Sequence, residues 1–145
     1  MSKVTLNRTV VPAGLLQIMI ILLAVITGLL HLALIAKFGL PLTIGGNPSM
    51  LVPYIFQNMG MLFLLNCIGY IALVAALYLP AFKQYQRVIR WTLIIFTAIT
   101  VVAYFALIGL KTNPIGYADK IIEMALIALL VIDDFQTSRQ PSVMP

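Results

Sequence analysis

An all-α integral membrane protein, folded as a four-helix bundle with both termini on the cytoplasmic side, is the fold class this sequence predicts. Three observations carry it. Apolar residues make up 62% of the 145 positions and charged residues 9%, with a mean hydropathy of +1.07. A soluble domain holds about 45–50% apolar and about 25% charged residues, so thirteen charges cannot cover a water-facing surface of this size. The apolar residues also fall into runs long enough for a helix to cross a hydrocarbon core of about 30 Å, which takes roughly 20 residues. Finally, the cations stand mostly at the ends of those runs, where membrane proteins place orientation signals.

The runs divide residues 1–145 into one domain with four spans, at about 13–36, 51–79, 91–110 and 115–133. The first, Ala13 to Ala36, is bounded by Arg8 and Pro12 before it and Lys37 after it. It is too long for a secretory signal's apolar core and lacks a small-x-small cleavage site, so a mature transmembrane helix is expected. Turn-forming residues between Phe38 and Pro53 (Gly39, Pro41, Gly45, Gly46, Asn47, Pro48) predict an outer loop. The second span, Leu51 to Leu79, is long enough to tilt and is stopped by Pro80. After a basic loop, Pro80 to Arg90, the third span runs from Trp91 to Leu110 and stops at Lys111. The fourth reaches spanning length only if it starts near Ile115, which draws Asp119, Lys120 and Glu123 into the membrane.

Four spans put both termini on one side, together with Lys3, Arg8, Lys83, Arg87, Arg90 and Arg139; only Lys37, Lys111 and Lys120 stand on the other. The positive-inside rule then makes the first side cytoplasmic and the location the cell (inner) membrane. The same scatter argues against nucleic-acid binding despite a net charge of +5. Lys83, Arg87 and Arg90 are spaced four and three apart, on one helical face, and read as orientation signals or contacts to anionic headgroups. The polar tail from Asp133 to Pro145 is expected to fray unless a neighbouring subunit holds it.

Apolar burial does not drive helix association in lipid, so small and polar residues must mark the seams. The candidates are Ala24 and Gly28 in the first span, then Asn66, Gly69, Ala72 and Ala76 in the second. Thr97, Thr100 and Tyr104 form a weakly polar stripe in the third.

Ionisable residues at membrane depth are expensive and therefore informative. Glu123, with Asp119 and Lys120 four and three residues before it on the same face, forms a candidate proton or quinone site. His31 lies at similar depth in the first span, within geometric reach of Glu123, and its imidazole suits a proton relay. One His, one Cys and four scattered acids offer no recognisable metal spacing. Cys67 reads as a small core residue. No catalytic constellation is found, so an enzyme is not expected.

The stretch Asn113 to Asp133, with Pro114, Gly116, Asp119, Lys120 and Glu123 ahead of an apolar helix, resembles the last span of small four-span bacterial membrane proteins. The second span, with Phe63, Leu64, Asn66, Gly69, Tyr70 and Leu79-Pro80, is similar to theirs, and together the two stretches cover about half the chain. Such proteins resemble accessory subunits of energy-converting complexes, for example the quinol-oxidising alternative complex III. The resemblance implies a non-catalytic subunit of a larger electron-transfer complex, quinol-oxidising or photosynthetic. Its partners would be lipid and other integral membrane subunits, its cofactors would sit on those subunits, and lipid or quinone contacts would be shared with them. A small proton- or cation-coupled transporter or channel, working as an oligomer, is the alternative reading of the intramembrane charges.

Overall fold

The computed structural model describes residues 13–38, 59–108 and 114–138. Within them are four α-helices: α1 (Ala13–Phe38), α2 (Met59–Tyr78), α3 (Gln86–Ile108) and α4 (Pro114–Ser138), with a 3₁₀ turn at Pro80–Tyr85 joining α2 to α3. Three helical stretches are long and apolar enough to cross a membrane: Gly14–Ile35, Met59–Tyr78 and Pro80–Ala106. The stretch expected to form an outer loop and the Leu51–Asn58 part of the expected second span lie outside the described residues, as does the tail beyond Ser138.

Two boundaries differ from the sequence expectation, for one reason. The Pro80–Arg90 loop is mostly helical, and α3 begins at Gln86. The tail does not start at Asp133, because α4 continues through Asp133 and Asp134 to Ser138. Hydropathy marks where the chain stops being apolar, whereas the helix continues wherever its polar side chains find partners. Pro80 has a fixed φ and no N–H, so it ends α2 and opens the short turn. Pro114 opens α4, at a position where its missing donor is not needed.

The helices form a ring in chain order. α1 packs against α2 and α4, and α3 packs against α2 and α4. Buried positions on α4 recur as Gly116, Asp119, Glu123, Leu126, Leu130 and Asp133, alternating three and four apart. Arg90, Leu93, Thr97 and Thr100 on α3 follow the same rhythm, the spacing of two helices packed at a shallow angle. The apolar core consists of Leu16, Ile20 and Ala24 from α1, Val74 and Leu77 from α2, Leu93 and Ile94 from α3, and Leu126 and Leu130 from α4. Outward faces carry residues such as Leu22, Leu65, Ile99 and Ile121, all at least half exposed.

The proposed seam residues divide. Ala24 is fully buried, and Gly28 lies against Ile71. Gly69 leaves space that the Phe96 ring fills, since a Cβ there would collide with the ring. Gly116 does the same for Tyr104. Asn66 and Ala76 are half-buried, but Ala72 is exposed. The inward line of α2 runs instead through Tyr70, Val74 and Leu77. A small residue marks a seam only where something presses on it.

Candidate functional site

Midway along the bundle the apolar core gives way to polar side chains from all four helices. Tyr70 of α2 lies at the centre, fully buried, between the rings of His31 and Phe96 at 5.9 and 5.1 Å. Its hydroxyl crosses the bundle to donate to Oε1 of Glu123 on α4, at 2.9 Å. The Thr100 hydroxyl of α3 stands 3.0 Å from both the Tyr70 oxygen and Glu123 Oε1, and 2.7 Å from the Thr97 carbonyl oxygen. The other carboxylate oxygen of Glu123, Oε2, accepts from Lys120 Nζ at 2.6 Å. Lys120 also stands 3.0 Å from Asp119 Oδ2, so one ammonium bridges two carboxylates.

His31 completes the cluster from α1. Its Nδ1 lies 2.8 Å from the Thr27 carbonyl, an oxygen that can only accept, so the proton of a neutral imidazole is on Nδ1. Nε2 is left with its lone pair, 3.9 Å from Asp119 Oδ2. Asp119 Oδ1 is buried and makes no hydrogen bond among the described residues. His31, Asp119, Lys120 and Glu123 are each at most 6% exposed.

The four residues singled out from the sequence therefore do come together. Spacing along one helix indicated the Lys120–Glu123 contact, but His31 meets Asp119 rather than Glu123. Sequence reasoning missed Tyr70 and Thr100 as parts of the site, although Thr100 belonged to the polar stripe of the third span. One donor atom each from His31, Asp119 and Glu123 lie within 4.8 Å of one another. Two helices, α1 and α4, supply this set of metal-ligand types, so spacing along one helix reveals only its Asp119–Glu123 part. Lys120 Nζ already bridges the two carboxylates, so its ammonium serves as the cluster's cation.

A second ionic group ties α3 to α4 further along. Arg90 donates from Nε and Nη2 to Asp133 Oδ2, both at 2.8 Å, and from Nη1 to Asp134 Oδ1 at 2.9 Å. Arg90 is thus buried and does not share the exposed face of Lys83 and Arg87. Lys83 and Arg87 remain exposed beside Phe82, Tyr85 and Trp91.

A cavity of about 220 Å³ adjoins the central cluster. His31, Phe63, Asn66, Thr100, Tyr104 and Lys120 line it, with Leu62 and Ile99 at its exposed side. No protein-family model, curated protein or solved structure matches this chain.

Proposed function

We propose that this chain crosses the membrane four times and acts as a small proton-coupled transporter, with the His31–Asp119–Lys120–Glu123 cluster as its proton-binding site. The observation that carries this reading is the charge sum of the cluster. Counted with both carboxylates ionised and the imidazole neutral, the cluster carries one unit of negative charge, buried among apolar helices. An unbalanced charge in low dielectric is costly, and taking up a proton relieves it. One proton, held either by His31 Nε2 or by a carboxylate, brings the cluster to neutrality. The hydroxyl contacts agree with this. Tyr70, Thr100, Glu123 Oε1 and the Thr97 carbonyl make four oxygen–oxygen contacts of 2.7–3.0 Å, yet the two hydroxyls supply only two protons. A proton on Oε1 fills a third contact.

The fourth span belongs to the same proposal. At 25 residues, α4 extends about 37 Å, enough to cross. Asp119, Lys120, Glu123 and Asp133 are turned inward and paired, which removes most of the objection to placing them there. The cytoplasmic placement of both termini rests on the distribution of Lys and Arg described above.

The test is proton flux into proteoliposomes containing the purified chain and a trapped pH-sensitive dye. Glu123→Gln, which keeps the size and hydrogen-bonding capacity of the side chain, is expected to abolish flux while the variant still folds. Unchanged flux in a folded variant overturns the proposal.

One observation favours the alternative reading of an accessory subunit in an electron-transfer complex. Ala118, Ala125 and Ala128 lie exposed along α4, and small residues of this kind suit close approach of a helix from another subunit. Gentle solubilisation would then bring out a stable complex containing cofactor-bearing partners, whereas the transporter reading expects this chain alone or with copies of itself.

A further inference from the structure

The cavity beside the central cluster is asymmetric in its chemistry, and the asymmetry selects a ligand. Its lining includes Asn66, His31, Lys120 and Thr100, but neither Asp119 nor Glu123. The carboxylates engage Lys120 behind the wall, at 3.0 and 2.6 Å. Asn66 is one of the groups left over. Its amide makes no hydrogen bond among the described residues, on a wall it shares with Met59, Leu62, Phe63, Ile99, Ala103 and Tyr104. An unpaired amide in an apolar setting is unfavourable, and a ligand or water that hydrogen-bonds to it is correspondingly favoured. His31 Nε2, with Nδ1 committed to the Thr27 carbonyl, and the buried Tyr104 hydroxyl add two more polar atoms without a hydrogen-bond partner in the described residues.

The rim points to where the ligand comes from. Leu62 and Ile99 are 40% and 61% exposed, on the outward faces of α2 and α3. With the helices in a bilayer, as proposed above and on which this inference rests, the cavity opens sideways into hydrocarbon. A charged head group is disfavoured on two counts. Either sign would give up its hydration to a largely apolar lining, and the one charged group on the wall, the Lys120 ammonium, is already held by both carboxylates. A neutral polar head on an apolar tail meets neither objection.

We propose that this cavity binds a neutral, lipid-soluble carbonyl compound of the quinone type. Its ring lies between Phe63 and Ala103, a carbonyl oxygen accepts from the Asn66 amide, and its tail leaves past Leu62 and Ile99. The cavity volume suits a single ring bearing small substituents. The proton cluster then stands directly behind the ligand, separated from it by the Lys120 and His31 side chains, so occupancy and proton binding are coupled through shared residues.

The test is binding of decylubiquinone to the purified full-length chain in detergent, followed by quenching of intrinsic fluorescence. Decanoate and decyltrimethylammonium serve as anionic and cationic probes with alkyl chains of similar length. Decylubiquinone is expected to bind, and the two charged probes to bind at least about tenfold more weakly. Asn66→Leu should weaken quinone binding about tenfold, the loss of one good hydrogen bond. Ala103→Phe, which fills the cavity and removes no polar group, should abolish it. Quinone binding that survives Ala103→Phe in a folded variant overturns the proposal, as does preferential binding of decyltrimethylammonium. Absence of quinone binding, meaning that water alone occupies the cavity, also overturns it. The proton reading is judged separately: loss of flux in Glu123→Gln without any quinone binding sinks this inference and leaves that reading standing. Quinone binding without proton flux does the reverse.

Discussion

The bundle contains two buried ionic groups on the same face of α4, about 15 Å apart by helix rise from Glu123 to Asp133, and they are built for different ends. In the Arg90 group a planar guanidinium faces two carboxylates with three short contacts, and the Asp134 side chain keeps 15% of its surface exposed. Its excess negative charge can therefore be solvated. It links α3 to α4 and does not line the cavity beside the central cluster. The central group has a flexible ammonium, two carboxylates and an imidazole, with its carboxylates at most 4% exposed and a cavity at its side. A rigid fork fixes two helices, whereas a point charge among several acceptors leaves the proton count adjustable.

Four measurements can break or sharpen this contrast. Arg90→Ala strands Asp133 and Asp134 without their cation, and the loss of stability should be the largest, about 3–5 kcal/mol by thermal unfolding in detergent. Arg90→Lys should recover only part of it, because an ammonium cannot match both carboxylates at once. Next comes Lys120→Met. Here the loss should be smaller, about 1–3 kcal/mol, and should shrink further in acid, because a bound proton can replace the missing ammonium. Equal losses in the two variants, with equal pH dependence, would erase the distinction drawn above.

Tyr70→Phe removes one hydroxyl that bonds to Glu123 and keeps the ring in contact with Phe96. It should cost about 1 kcal/mol in stability and slow proton flux more than that figure suggests, since it changes the proton count around Oε1. The smallest effect on folding is expected from Lys83→Gln combined with Arg87→Gln. Both side chains are exposed, so the melting temperature should not move, while binding to vesicles rich in anionic lipid should weaken by about 1 kcal/mol per charge. A large drop in melting temperature would show that these two share the structural role of Arg90.

Much of the bundle was legible because hydropathy and helix spacing are local signals. The limits of α1, the end of α2 at Pro80 and the pairing of Lys120 with Glu123 can all be read along one stretch of chain. What escaped depends on partners far away in sequence. Arg90 shares its spacing with Lys83 and Arg87, and nothing nearby says that Asp133, 43 residues later, will claim it. Tyr70 stands in an apolar run and reads as bulk until Glu123, 53 residues on, meets its hydroxyl. Ala72 has the size of a seam residue, but size alone does not bring a neighbour. The residue types at the centre were identifiable because charge at membrane depth is rare; their geometry was not.

With α4 in the membrane, as proposed above, its charges also constrain how the protein is made. Each of Asp119, Lys120, Glu123, Asp133 and Asp134 opposes insertion of an isolated helix, by about 2.5–3.5 kcal/mol for a residue placed near its centre. The partners that offset this lie on the other helices: His31 on α1, Tyr70 on α2, Arg90 and Thr100 on α3. All of them precede α4 in the chain and so leave the ribosome first. The last helix synthesised is thus the one that relies on the rest already being in place, and the order of residues in the gene serves as an assembly sequence.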